Sequence, residues 1–397
     1  MQVKFYRWLI SLTFLIFIIT SAKSQVDPEI QLGARGVFSF NADRIQHQTT
    51  TAVNDFSDTG ILLGFRQKLY HQFRAQMVIG FQFPDAESDL GQLFFHQTFI
   101  QIENQTNILK LGRTRVQSAL IEFPTLRDDD ALDYTDVLNP FSSGENTEDH
   151  QYGNVIEIAH IFHQRWWFRI HGEHFTQTPT PPAFSETDFS LNAIGFSFQY
   201  RVPETQRWNR PIIQQIGFGF NSFLTDRPGY TSTIDKSLKH FIFSTILNLY
   251  PDPIHFIDWR TQVIINNGFP ETERITAFFQ LTRSRSYAII SSLRYLLRKL
   301  ERPSLQMALT VGYKSFPRVQ NPTAQYQAII NLFYRIGDNF DAALQFQYKQ
   351  FSGDLISLYG ENEMRFQFGF VYNISQSWNN QFDDRESLLN LEHGYIP

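Results

Sequence analysis

Four histidines stand in two pairs three residues apart, His160/His163 and His171/His174, and a pair of imidazoles is a common start for a metal site. The segments that carry them read as extended chain, where residues three apart point to opposite faces. Neither pair can converge on one ion without a bulge, so no metal is expected. Hydrolytic chemistry fares no better: the Gly-x-Ser-x-Gly and phosphate-loop patterns do not occur, and no catalytic residue or cofactor is expected. With no cysteine in 397 residues, a disulfide scaffold, a Cys-ligated zinc, an iron–sulfur site and a lipid-anchored Cys are all excluded.

The chemistry that remains is charge in an ordered pattern. Basic side chains recur in phase, opposite apolar neighbours: Arg35, Arg66, Lys68, Arg74, Lys110, Arg169, Arg260, Arg274, Arg294, Arg335 and Arg365. Acidic residues counted on that face are fewer: Asp43, Glu173, Asp258 and Asp341. Acid gathers instead in 114–152, which holds Glu122, Asp128, Asp129, Asp130, Asp133, Asp136, Glu145, Glu148 and Asp149 against Arg115 and Arg127. A basic wall facing an acidic loop across a narrow, low-dielectric space sets up a transverse field. Two other readings of the segment stay open. It could be a solvated surface loop, or a calcium site at Asp128–Asp136, although the spacing and Gly of an EF-hand are missing.

The elements that position these charges have period two. In Phe73-Arg74-Ala75-Gln76-Met77-Val78-Ile79-Gly80-Phe81-Gln82-Phe83 every odd position is apolar, and 212–220, 305–313, 326–336, 340–348 and 364–373 repeat the pattern. Sixteen such segments are expected as strands: 32–45, 59–69, 72–83, 92–103, 106–113, 153–163, 165–176, 187–201, 211–224, 236–250, 254–267, 274–298, 303–316, 324–336, 339–351 and 363–374. A soluble β-sandwich also alternates, but its strands are commonly about 5–6 residues long, whereas a tilted membrane strand needs about 9–11. One face is rich in Gln, Asn, Arg and Lys, the other in Phe, Leu, Ile and Tyr. The expected fold is therefore all-β: a transmembrane, antiparallel, up-and-down β-barrel with polar lumen and apolar exterior. Short links after every second strand agree with that topology, Val202–Pro211 being the long exception. Sixteen strands are preferred, and eighteen stay open if 114–123 hides a further strand. Tyr70, Phe73, Trp166, Tyr200, Tyr250, Phe256, Tyr334, Phe340 and Tyr372 would form an aromatic girdle at the short-turn rim.

Composition bounds the rest. The chain is 16% aromatic, too much for disorder, and its mean hydropathy of −0.28 is too polar for a bundle of membrane helices. Residues 1–24 read as a signal peptide: Lys4 and Arg7, then apolar Leu9–Thr20, then Ala22 and Ser24 at a small-residue cleavage site. Its removal takes Lys4, Arg7 and Lys23 with it and moves the formal net charge from −5 to −8. An acidic mature chain with no basic tract is a poor nucleic-acid binder. The barrel would occupy 25–374, with 375–397 left as a periplasmic tail, a plug or a docking segment for a periplasmic partner.

A leader, a near-complete barrel pattern and an oversized third outer loop resemble the Gram-negative outer-membrane porin superfamily. The heptad Leu109-Lys110-Leu111-Gly112-Arg113-Thr114-Arg115 is similar to the Leu-x-Leu-Gly-Arg segment of porin and alginate-export-type barrels. The resemblance implies an outer-membrane location among lipid, passive diffusion of small hydrophilic and anionic solutes, and a homotrimer. It also implies a third loop that constricts the pore, a role falling to Asp128, Asp129, Asp130, Asp133 and Asp136 opposite Arg35, Arg66 and Arg74. Porins usually end on an aromatic residue of the last strand, whereas here 23 residues follow Ile374. A closed scaffold in an envelope or secretion assembly is the alternative.

Overall fold

A sheet whose apolar face meets hydrocarbon must pair every backbone group, and the way to do so is to leave no edge. The computed structural model describes residues 29–45, 48–49, 53–55, 60–70, 72–82, 92–104, 106–115, 120–121, 123, 152–174, 193–202, 212–223, 239–252, 254–267, 285–299, 302–316, 323–337, 340–353, 356 and 360–378. They form one antiparallel sheet. Its strands are β1 (Glu29–Ile45), β2 (Gln48–Thr49), β3 (Val53–Asp55), β4 (Gly60–Tyr70), β5 (Phe73–Gln82), β6 (Gln92–Glu103), β7 (Asn107–Arg115), β8 (Tyr152–Phe162) and β9 (Trp166–His174). They continue as β10 (Ala193–Arg201), β11 (Ile213–Phe223), β12 (Lys239–Pro251), β13 (His255–Asn267), β14 (Arg285–Lys299), β15 (Arg302–Phe316), β16 (Thr323–Gly337), β17 (Phe340–Ser352) and β18 (Asn362–Trp378). From β4 onward each strand pairs with the next, and β18 pairs with β1 from Ile30↔Trp378 to Ile45↔Glu363, so the pairings run full circle. On its other side β1 pairs with β2, β3 and β4 in turn, which makes those three one interrupted wall strand. The wall thus has the sixteen strands expected.

Alternation decides which way each residue faces. On β14, Tyr287, Ile289 and Leu293 are 39%, 44% and 48% exposed, while Ala288, Ile290, Ser292, Arg294 and Leu296 between them are at most 2% exposed. Among the described residues Gln262, Gln306, Gln345 and Gln367 are fully buried, and Phe366, Phe368, Ile330 and Leu309 are exposed. This inverts a soluble protein's core and suits a lipid-facing exterior.

The short-turn end is built by local chemistry. Asn104 Oδ1 accepts from the N–H groups of Thr106 and Asn107, and Asp252 Oδ1 from those of Ile254 and His255, so each side chain caps its own turn. His163 and Gln164 take positive φ (50° and 62°), the twist a two-residue hairpin turn needs. Bulges near these turns, at Ile213/Gln215 and Asn248/Tyr250, shift the phase by one residue. Leu249 and Tyr250 are in consequence both exposed, and Gln214 and Gln215 both buried.

Several boundaries differ from the sequence reading. The last strand does not stop near Ile374: Ser375–Trp378 pair with Ile30–Gly33, so its final residue is an aromatic and the first four residues of the expected tail belong to the wall. β1 begins at Glu29, because that stretch has β4 to pair with. The long strand expected over 274–298 is described from Arg285. Of the girdle, Trp166 stacks on Phe198 at 5.2 Å and meets Tyr200 edge-on, Phe340 stacks on Phe370, and Tyr250 and Tyr334 face outward. Phe256 does not join it. At 4% exposed it points inward, in phase with Asp258 and Arg260. The expected leader, 1–24, and residues 379–397 of the expected tail lie outside the described residues.

Candidate functional site

Phase turns the basic residues inward, and register then chooses their partners. Glu29 lies opposite Arg66, whose Nε and Nη2 donate to Glu29 Oε2 at 2.9 and 2.6 Å. Asp341 lies opposite Arg335, with 3.1 Å between Arg335 Nε and Asp341 Oδ1. Arg169 meets Glu157 at 3.4 Å, Arg74 meets Glu103 at 3.9 Å, and Glu363 lies 3.7 Å from Arg365 and 3.6 Å from Lys349. Lys110 sits 4.7 Å over the Phe99 ring. Arg35 is in register with Asn373 and Gly60, and Lys68 with Arg74; their side chains, with those of Asp43 and Glu173, lie outside the described ones, as does all of Arg274.

To the four acidic residues counted on this face from the sequence, the structure adds others. Glu29, Glu103, Glu157 and Glu363 stand among the basic residues, and the wall is a lattice of cross-strand ion pairs. Glu157 was legible from phase, since it separates Ile156 and Ile158, both exposed. Glu29 was not, because it precedes the stretch whose alternation is clear. Exposure divides the basic residues into two groups. Arg66, Arg260 and Arg294 have side chains only 2–3% exposed, sealed from any solute path. Arg74, Arg169, Arg335 and Arg365 keep 13%, 16%, 15% and 23%, and can touch a passing ion.

Three deeply buried charges stand together, Asp258, Arg260 and Arg294. Asp258 lies opposite Arg294 in register, and Arg294 Nε and Nη2 both donate to its carboxylate. Arg260, two residues along β13, adds Nε to Asp258 Oδ1 at 3.3 Å and Nη2 to Oδ2 at 3.4 Å. Phe256 and Leu296 close the side toward the short turns. Charges so far from water are tolerated because they are paired.

Across the lumen, the beginning of the long connection is docked. Leu120, Ile121 and Phe123 follow β7, yet they lie against β11, β12, β13 and β14. Gln262 Oε1 accepts from the N–H groups of Leu120 and Ile121 at 3.1 and 3.4 Å, and Gln215 Nε2 donates to the Leu120 carbonyl at 2.8 Å. The Leu120 side chain rests on Gly217 and Gly219: a Cβ on either would lie 3.1 or 3.6 Å from it. Leu120 and Phe123 pack on Ile242, Ile264, Ala288 and Ile290. Six strand steps from β7 to β13 cover about 29 Å of wall, whereas five residue steps from Arg115 to Leu120 span at most about 18 Å. Leu120 therefore stands on the lumen side, against a part of the wall remote from β7. The connection was expected to turn inward by attraction of acid to arginine, but the described residues are held by apolar packing and two glutamines. Asp128, Asp129, Asp130, Asp133 and Asp136 lie outside the described residues. Nothing in the alternation of β11–β13 marked Gln215 and Gln262 as anchors.

The histidines part company. His160 Nδ1 pairs with Asn107 Oδ1 near a turn, while buried His171 places Nε2 2.9 Å from Asn221 Oδ1, across β10 at Gly195, where any Cβ would strike both groups.

No protein-family model matches this chain, and no curated protein matches it in sequence. Its structure is similar to solved outer-membrane channels. The anion-selective porin from Comamonas acidovorans is 9% identical with a TM-score of 0.58, over 88% of this chain and all of that one (100%). The outer membrane channel DcaP of Acinetobacter baumannii is 12% identical with a TM-score of 0.55, over 88% and 99%. OprB of Pseudomonas putida, in its high-pH structure, is 8% identical with a TM-score of 0.59, over 88% and 94%. The fold is that of the outer-membrane β-barrel porins.

Proposed function

We propose that this chain resides in an outer membrane and passes small hydrophilic solutes by passive diffusion, with a preference for anions. The observation that carries the reading is an apolar exterior around a charged inner wall on which Arg74, Arg169, Arg335 and Arg365 keep contact with water. Such a wall draws anions in, though more weakly than a bare arginine ladder because each of these residues has a carboxylate within 4.0 Å. The connection 114–152 narrows the passage, its acidic residues Asp128–Asp136 set against that wall. Lipid and solutes are the partners, and a trimer suits an exterior so apolar.

A second reading has its own observation. Ser244, Gln262, Ser292, Gln306, Gln345 and Gln367 are 0% exposed, so much of the wall from β12 to β18 touches no water. That favours a barrel plugged at rest, serving as a scaffold in an envelope assembly.

Planar-bilayer recording under a KCl gradient separates the two. The channel reading expects discrete conductance and a reversal potential on the anion side. Arg74→Ala with Arg365→Ala shifts that potential toward the cation side. Removing one charge about 8 Å from a passing ion changes its energy by ~0.5 kcal/mol in water, about two-fold in permeability. Silent bilayers from folded protein leave the scaffold.

A further inference from the structure

A barrel can carry a loop inside it without depending on where that loop rests. Here the seat is specific, built from two glutamines and two glycines of the wall. Gln262 is fully buried on β13, and its one acceptor oxygen receives two consecutive backbone N–H groups. Gln215, inward in phase with Gly217 and Gly219, returns a bond to the carbonyl of the same Leu120. Between them Gly217 and Gly219 leave a notch in the wall that the Leu120 side chain fills.

We infer that Gln262 and this glycine notch are the positioning elements of the channel: they fix Leu120, Ile121 and Phe123 at one place in the lumen, and that placement sets the aperture. Three reasons support it. A backbone N–H withdrawn from water needs a partner, and Gln262 supplies one acceptor for two such donors. A Cβ added at Gly219 would sit at ordinary contact distance from the Leu120 side chain, 3.6 Å, but any side chain reaching beyond Cβ would occupy its place. The apolar floor of Ile242, Ile264 and Ile290 lies on the lumen side of the wall, where a water-filled pore has no other use for it. The claim about aperture rests on the channel reading; the claim about the seat does not.

The chain has no cysteine, so two can be introduced cleanly. Phe123→Cys with Ala288→Cys, which leaves Leu120, Gln262 and both notch glycines in place, is treated in refolded full-length protein in lipid with a short bis-thiol-reactive linker, and linkage within one chain is read by mass. Heat-modifiable gel mobility and tryptophan emission report the fold of every variant. The wild-type seat gives rapid linkage. Gln262→Leu lowers its rate roughly five-fold or more, the change expected from losing two hydrogen bonds of ordinary strength. Gln262→Glu, which keeps the acceptor, restores it. In the cysteine-free chain, Gln262→Leu and Gly219→Phe raise single-channel conductance. Leu120→Ala, which alters no wall residue, provides the same conductance test should a wall variant fail to fold. Linkage indifferent to Gln262→Leu overturns the seat, and unchanged conductance despite lost linkage overturns its control of the aperture. Normal linkage behaviour with silent bilayers supports the seat and overturns the channel reading alone.

Discussion

Replacing Asp258 by alanine leaves two guanidiniums facing each other with 2% of their surface exposed and their shared carboxylate gone. Breaking a buried ion pair costs about 3–5 kcal/mol, against roughly 0.2–1 kcal/mol for an exposed one. Arg260 and Arg294 have further interactions beyond Asp258, which puts the expectation near the lower end, ~3 kcal/mol. The opposite change tests the same logic. Removing all three charges together, as Asp258→Leu, Arg260→Met and Arg294→Met, removes the desolvation cost with the attraction, and stability should match the wild type or exceed it by ~1–4 kcal/mol. Reversible urea unfolding in lipid vesicles, followed by tryptophan emission, measures both; Trp259 adjoins the cluster on the outer face. A loss below about 1 kcal/mol for Asp258→Ala would refute the reasoning, because it would mean the guanidiniums reach water in the variant.

Gly112 has φ +133°, and a Cβ there would strike the Thr98 carbonyl oxygen and lie 2.7 Å from Phe99 Cα, so Gly112→Ala should cost ~1–3 kcal/mol in the same unfolding assay. At the β12–β13 turn the His255 N–H, and then the Ile254 N–H, hold the Asp252 carboxyl below its ordinary range. A depressed carboxyl pKa stabilises the turn above the unfolded-state value and loses that support as pH falls through the folded one. Amide exchange at Ile254 and His255, corrected for its intrinsic pH dependence, should therefore quicken once pH drops below about 3.9, and Asp252→Asn should abolish the step.

Sidedness and strand number were written in neighbouring residues. Alternation is a relation between i and i+2, so Ile156-Glu157-Ile158 declares its faces wherever the strand ends up, and sixteen such stretches make sixteen strands. The parity of short and long connections came with them. Partnership is different, because it joins residues far apart in the chain. Glu29 meets Arg66 through the pairing of β1 with β4, and Trp378 enters the wall because β1 offers a seam that reaches it. Gln262 anchors Leu120, 142 residues away, and no local pattern on β13 distinguishes it from the other buried glutamines. One-dimensional order carries the direction of a side chain; which group it meets is settled when the sheet curls and distant strands come into register.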